Sequence, residues 1–188
     1  THLAVAFDNP ITSFRNQLAR VMIAQHREDE AERQAKGVLK IDELNVDARL
    51  LLAGMWYRQG KAELAKQVLD DAKEIDPKNP AVWDLLAFTQ LKLDLRPLAL
   101  ESFRKAAALR EDFPEAHNNL GAMLNEVNDC AAAQRELQVA VKYAPDYAEA
   151  FLNLGNAYRC GRQYKDAQAQ YEKALALDPK TPAPLFNL

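Results

Sequence analysis

Residues 148–181 read AEAFLNLGNAYRCGRQYKDAQAQYEKALALDPKT, and two stripes in this stretch decide how the chain folds. Phe151, Leu154 and Tyr158 share one face of an α-helix, and Ala167, Tyr171 and Ala174 form a matching stripe on a second. Pro179 closes the unit, because a proline cannot continue the helix that precedes it. Gly155, Ala167 and Ala174 are small, and two helices approach closely only where both present small residues. The stretch therefore predicts two tightly paired helices joined by a short turn.

The same pattern runs outward along the whole chain. Leu18, Leu52, Leu86, Leu120, Leu154 and Leu188 fall in one column with a spacing of 34. Ala31, Ala65, Ala99, Ala133 and Ala167 form a second column, and Val38, Ala72, Ala106, Ala140 and Ala174 a third. The residue after each of the first five leucines is small: Ala19, Ala53, Ala87, Gly121 and Gly155. Enlarging any of them should overpack the stack. Pro10, Pro77, Pro80, Pro114, Pro145, Pro179, Pro182 and Pro184 fall at junctions between copies, and Pro97 near the start of a second helix, where a missing N–H costs little. Gly60, Gly161 and Asn128 occupy the turn inside a copy, where a left-handed conformation is expected.

This pattern resembles the tetratricopeptide repeat, whose signature is W-x2-L-G-x2-Y, then A-x3-F, then P, in a period of 34. The resemblance covers essentially the whole chain. It implies an all-α fold, an α-α superhelix of stacked antiparallel helix pairs, with the first helix of each pair lining a concave face. The register places five repeats at 12–45, 46–79, 80–113, 114–147 and 148–181. Leu3 to Asp8 aligns with Lys173 to Asp178, so residues 1–11 are expected to be the tail helix of a preceding repeat. Leu185 to Leu188 aligns with Phe151 to Leu154, so residues 182–188 are expected to begin a further one. Neither end supplies the polar cap that a solenoid needs, and the chain is read as a segment of a longer array.

Composition narrows the function. The 188 residues are 48% hydrophobic and 27% charged, ordinary values for a folded chain, with a formal net charge of -3. No Lys/Arg-rich tract offers attraction to a phosphate backbone, so nucleic acid is not expected as a partner. No apolar run reaches the roughly 18–20 residues that span a bilayer. His2, His26 and His117 share no face, and no H-E-x-x-H, G-x-S-x-G, phosphate loop or C-x-x-C occurs. No catalytic, cofactor-binding or metal-binding residue is assigned. His117 takes the aromatic slot of a first helix and is expected to be structural.

The expected function is non-enzymatic binding of a partner protein or extended peptide in the groove. Asn119, Asn153 and Asn187 recur one residue before the column leucine, with Asn118 and Asn156 close by. A primary amide can pair with both the C=O and the N–H of an extended backbone. Such a column is similar to the asparagine ladders in the tetratricopeptide regions of O-linked N-acetylglucosamine transferase and kinesin light chain. The competing reading makes these asparagines solvated consensus residues. The column holds Leu51 and Leu85 in the middle repeats, where Tyr57, Phe88 and Leu91 suggest an apolar patch or, alternatively, packing against a neighbouring helix. Asn16, Arg20, Leu51, Asp84 and Leu85 do not reproduce the Lys/Asn clamp by which some co-chaperones of this family grip a C-terminal carboxylate.

Cys130 begins one helix and Cys160 ends the next, at ends that meet on the same edge of the stack. Two outcomes are open: a disulfide, which points to a periplasm or cell envelope, or two free thiols, which leave a cytoplasmic setting. Bacterial cell-envelope assembly or motility is the first specific reading. The alternative is the substrate-recognition arm of a glycosyltransferase resembling O-linked N-acetylglucosamine transferase.

Overall fold

The computed structural model describes residues 9–180, which carry ten helices and no strand. The helices are α1 (Pro10–Ala24), α2 (Glu28–Leu39), α3 (Val46–Arg58), α4 (Ala62–Ile75), α5 (Pro80–Lys92), α6 (Arg96–Leu109), α7 (Pro114–Glu126), α8 (Cys130–Tyr143), α9 (Ala148–Cys160) and α10 (Tyr164–Leu177). Residues 1–8 and 181–188 lie outside the described residues, and with them most of the expected tail helix and all of the expected further repeat. Among the described residues no helix is long and apolar enough to cross a membrane.

Helix starts follow from local chemistry. Pro10, Pro80 and Pro114 open α1, α5 and α7, where the backbone needs no donor. Asn9, Asn45, Asn79 and Asp129 each accept a hydrogen bond from a first-turn N–H through a side-chain oxygen.

The ends of α1, α3, α5, α7 and α9, the first helices of the pairs, are set by a recurring left-handed residue. His26, Gly60, Asp94, Asn128 and Arg162 have φ between 58° and 78° and stand 34 residues apart. At each, the following N–H reaches back to a carbonyl inside the helix: Arg27 to Met22, Lys61 to Trp56, Leu95 to Gln90, Asp129 to Leu124 and Gln163 to Tyr158. This six-to-one closure is what turns the chain sharply into the second helix of each pair. Gly60 and Asn128 hold the left-handed position, but Gly161 does not. Its φ is -77°, and the left-handed conformation falls on Arg162 beside it. The closing hydrogen bonds fix which residue must turn, so the glycine one place earlier is bypassed.

The described residues form two compact units, divided between Ala99 and Leu100. In the first, α1 packs on α2, α2 on α3, α3 on α4 and α4 on α5, while α3 also touches α1 and α5. Ala19, Met22, Ala31, Ala35, Leu52 and Met55 form one buried cluster, and Ala53, Ala65, Leu69, Ala72, Val82 and Leu86 another. The helices α3 and α5 are apolar around most of their circumference, as expected of helices enclosed by neighbours on several sides. In the second unit α7 packs on α8, α8 on α9 and α9 on α10, with α7 also touching α9. Here the closest approaches need glycine. A Cβ on Gly155 would lie 2.5 Å from the Tyr171 ring, and one on Gly121 would collide with Leu137.

Candidate functional site

The residues singled out for binding sit on the first helices of the pairs, but at different depths. Asn118 has no exposed surface. Its Nδ2 donates to Tyr147 Oη at 3.2 Å and to Glu149 Oε1 at 3.4 Å, and its Oδ1 accepts from Asn153 Nδ2 at 2.9 Å. Asn118 therefore leaves the set of contact residues: its amide is consumed inside the stack. Asn119 and Asn153 are half-buried. Asn156, also half-buried, accepts from Tyr171 Oη at 2.8 Å. Asn187 lies outside the described residues.

Burial raises the Tyr171 phenol above the usual tyrosine range, partly offset by the hydrogen bond and charge of Arg159. The neutral phenol is thereby kept as the donor to Asn156.

Tyr57 and Phe88 are half-buried in the first unit. Lys92 Nζ lies 4.6 Å from the Tyr57 ring centroid and donates to the Tyr57 carbonyl at 2.9 Å, so a cation already covers part of that ring. Leu51 and Leu85 are half-buried, each packed against one core cluster.

Among the described residues each unit carries an open cavity of more than 500 Å³. One, of about 540 Å³, is lined by His117, Glu136, Arg104 and Arg135 in the second unit. His117 is 6% exposed, and its Nδ1 lies 2.8 Å from Glu136 Oε2, an orienting carboxylate that the sequence did not reveal. The other, of about 560 Å³, lies in the first unit between α1 and the starts of α3 and α5. It contains Asn16, buried and bonded through Nδ2 to Asn45 Oδ1 at 3.0 Å. The pairing was not foreseen, although Asn16 and Asn118 stand in one column at the repeat period.

Cys130 and Cys160 are joined by a disulfide, with Cα atoms 5.6 Å apart. The bridge ties the start of α8 to the end of α9. Among the described residues no group of three or more His, Cys, Asp or Glu is placed to hold a metal ion.

Comparison with known proteins agrees with this architecture. Models of the tetratricopeptide repeat match residues 22–87 and 148–181, together more than half of the chain. Tetratricopeptide repeat protein 8 of Caenorhabditis elegans is 27% identical over 140 residues, covering 73% of this chain and 28% of that protein. The human protein O-mannosyl-transferase TMTC1 is 26% identical over 176 residues, 94% of this chain and 17% of its own length. This chain thus spans under a third of either relative. A solved structure of YrrB, described as a tetratricopeptide protein with an unusual peptide-binding site, superposes with a TM-score of 0.73 at 20% identity. It covers 89% of this chain and 86% of its own. The repeat period, the helix pairs and these likenesses agree that the chain belongs to the tetratricopeptide repeat family.

Proposed function

We propose that the chain is a non-enzymatic scaffold that holds an extended segment of a partner protein against its first helices. One observation carries the reading. Leu51, Leu85, Asn119 and Asn153, one from each of the second to fifth repeats at the same place in the 34-residue period, are all half-buried rather than covered. Leu51 and Leu85 offer apolar contact in the first unit, and Asn119 and Asn153 offer amide contact in the second, each unit by itself presenting side chains that an extended segment can use. The peptide-binding site attributed to YrrB supports this use of the fold.

Asn119, Asn153 and Asn156 remain in the proposed contact set with Tyr57 and Phe88. The five repeat boundaries given by the 34-residue register are proposed as the structural units of that surface. The Cys130–Cys160 bridge supports an oxidising setting such as a bacterial periplasm, and with it an envelope or motility assembly.

The test is a pair of charge-bearing substitutions on each side of the helix pairs. Leu85→Arg and Asn119→Arg should weaken binding of a purified partner at least tenfold. Gln67→Arg and Gln168→Arg, at exposed positions of α4 and α10, should leave it unchanged. Equal effects from the two sets would reject the reading.

The likeness to TMTC1 across 94% of the chain favours a second reading, the substrate-recognition arm of a glycosyltransferase. A transferase domain encoded in the same polypeptide would support it, and a complete coding sequence without one would reject it.

A further inference from the structure

Asn16 and Asn118 hold the same position in their repeats, three periods of 34 residues apart. They are 4% and 0% exposed. Each sends its amide N–H to the same neighbouring column, Asn16 to Asn45 Oδ1 and Asn118 to Tyr147 Oη. They differ at the carbonyl. Asn118 Oδ1 accepts from Asn153, but the residue that corresponds to Asn153 beside Asn16 is Leu51, which has no donor. Asn16 Oδ1 is buried and has no hydrogen-bond partner among the described residues.

The amide cannot escape this by turning over. Asn45 Oδ1 also accepts the Ala48 N–H at 3.0 Å, which identifies that atom as the oxygen, so Asn16 must face it with nitrogen. A buried acceptor left unpaired is costly, and such groups call for an explanation.

Asn16 lines the cavity of about 560 Å³ described above. Among the described residues, Asp42, Asp47 and Asp76 line it too, against one cation, Arg20, which Asp47 holds at 3.3 Å. Asp42 and Asp76 each accept from an asparagine amide and a backbone N–H. An ionised carboxylate has about four acceptor sites, so capacity remains. The lining is negative and rich in acceptors. An anion is repelled there, and a cation with several N–H groups is matched.

We infer that this cavity receives a lysine or arginine side chain of the bound segment, whose N–H completes Asn16 Oδ1 while the carboxylate charge left over from the Asp47–Arg20 pair balances its own. The inference rests on the proposed binding of a partner segment to the first helices, and it names one side chain which that segment must carry.

The test is titration of the intact protein with acetyl-tetralysine amide and with acetyl-tetraglutamate amide, followed by NMR of the asparagine side-chain amides. Tetralysine is expected to shift the Asn16 amide and tetraglutamate to leave it in place. Leu51→Asn, which supplies internally the donor that Asn153 gives Asn118, should weaken tetralysine binding at least tenfold. Asp47→Lys reverses the charge at an exposed position and should do the same, so the test holds even if Leu51→Asn fails to fold. Tetralysine binding unaltered by Asp47→Lys, or an equal response to tetraglutamate, would overturn the inference. If tetralysine moves Asn16 while a purified partner protects only second helices from hydrogen exchange, the subsite stands and the binding-face reading falls. If the partner protects first helices while tetralysine leaves Asn16 unmoved, the subsite falls alone.

Discussion

Asn153 donates its side-chain N–H to Asn118 Oδ1 at 2.9 Å, so two amides from successive first helices spend hydrogen-bonding capacity on each other. Asn118 is fully buried, and its carbonyl has no water to fall back on. Asn153→Leu, which recreates the arrangement around Leu51, should cost about 1–3 kcal/mol by leaving that carbonyl unpaired. Chemical denaturation of the two proteins measures the difference, and an unchanged midpoint would show that the pair does not stabilise the stack.

The disulfide closes a loop of 30 residues between Cys130 and Cys160. Chain entropy for a loop of that size corresponds to about 3–4 kcal/mol. Cys130→Ser with Cys160→Ser should lower the unfolding free energy by an amount of that order. A thiol titration of unreduced, unfolded protein should find no free thiol; finding two would contradict the bridge directly.

Glycine is absent from four of the five left-handed turn positions. Asp94 and Arg162 have φ of 58° and 60°, a conformation that costs an L-residue roughly 1–2 kcal/mol relative to glycine. Arg162→Gly is expected to recover about 1 kcal/mol, less the entropy that glycine adds to the unfolded chain. Gly155→Ala, by contrast, drives a methyl into Tyr171 and should cost about 1–3 kcal/mol. Thermal unfolding of both variants would show shifts of opposite sign.

Tyr171 gives the stack a pH limit on the alkaline side. Its folded pKa lies above the ordinary tyrosine value, chiefly through burial, so the folded state retains a proton that the unfolded chain releases. That stability is fully present below the unfolded pKa of about 10 and is lost as pH rises through the folded value. Tyr171→Phe removes the titration and should flatten the fall in stability above about pH 10, at the expense of the hydrogen bond to Asn156. Unfolding curves across that range, compared between the two proteins, check it.

The helix pairs could be read from the sequence because their determinants are local: small residues at fixed steps, prolines at junctions, one apolar stripe per helix. Gly60 and Asn128 marked their turns for the same reason. His26, Asp94 and Arg162 did not, because the left-handed residue is chosen by the hydrogen bonds that close the helix, and side-chain type only follows. Asn118 and Asn119 looked equivalent as neighbours, yet successive residues point about 100° apart on a helix, and that rotation puts one inside the stack. The Asn16 carbonyl could not be anticipated from any single column. Its lack of a partner depends on Asn45 supplying an acceptor and Leu51 failing to supply a donor.

Hydrogen–deuterium exchange with and without a saturating purified partner bears most directly on the proposed binding face. The expected result is slowed exchange in α3, α5, α7 and α9, strongest in the peptides that contain Leu51, Leu85, Asn119 and Asn153. Protection confined to the second helices α4, α8 and α10, with α3, α5, α7 and α9 unchanged, would contradict it.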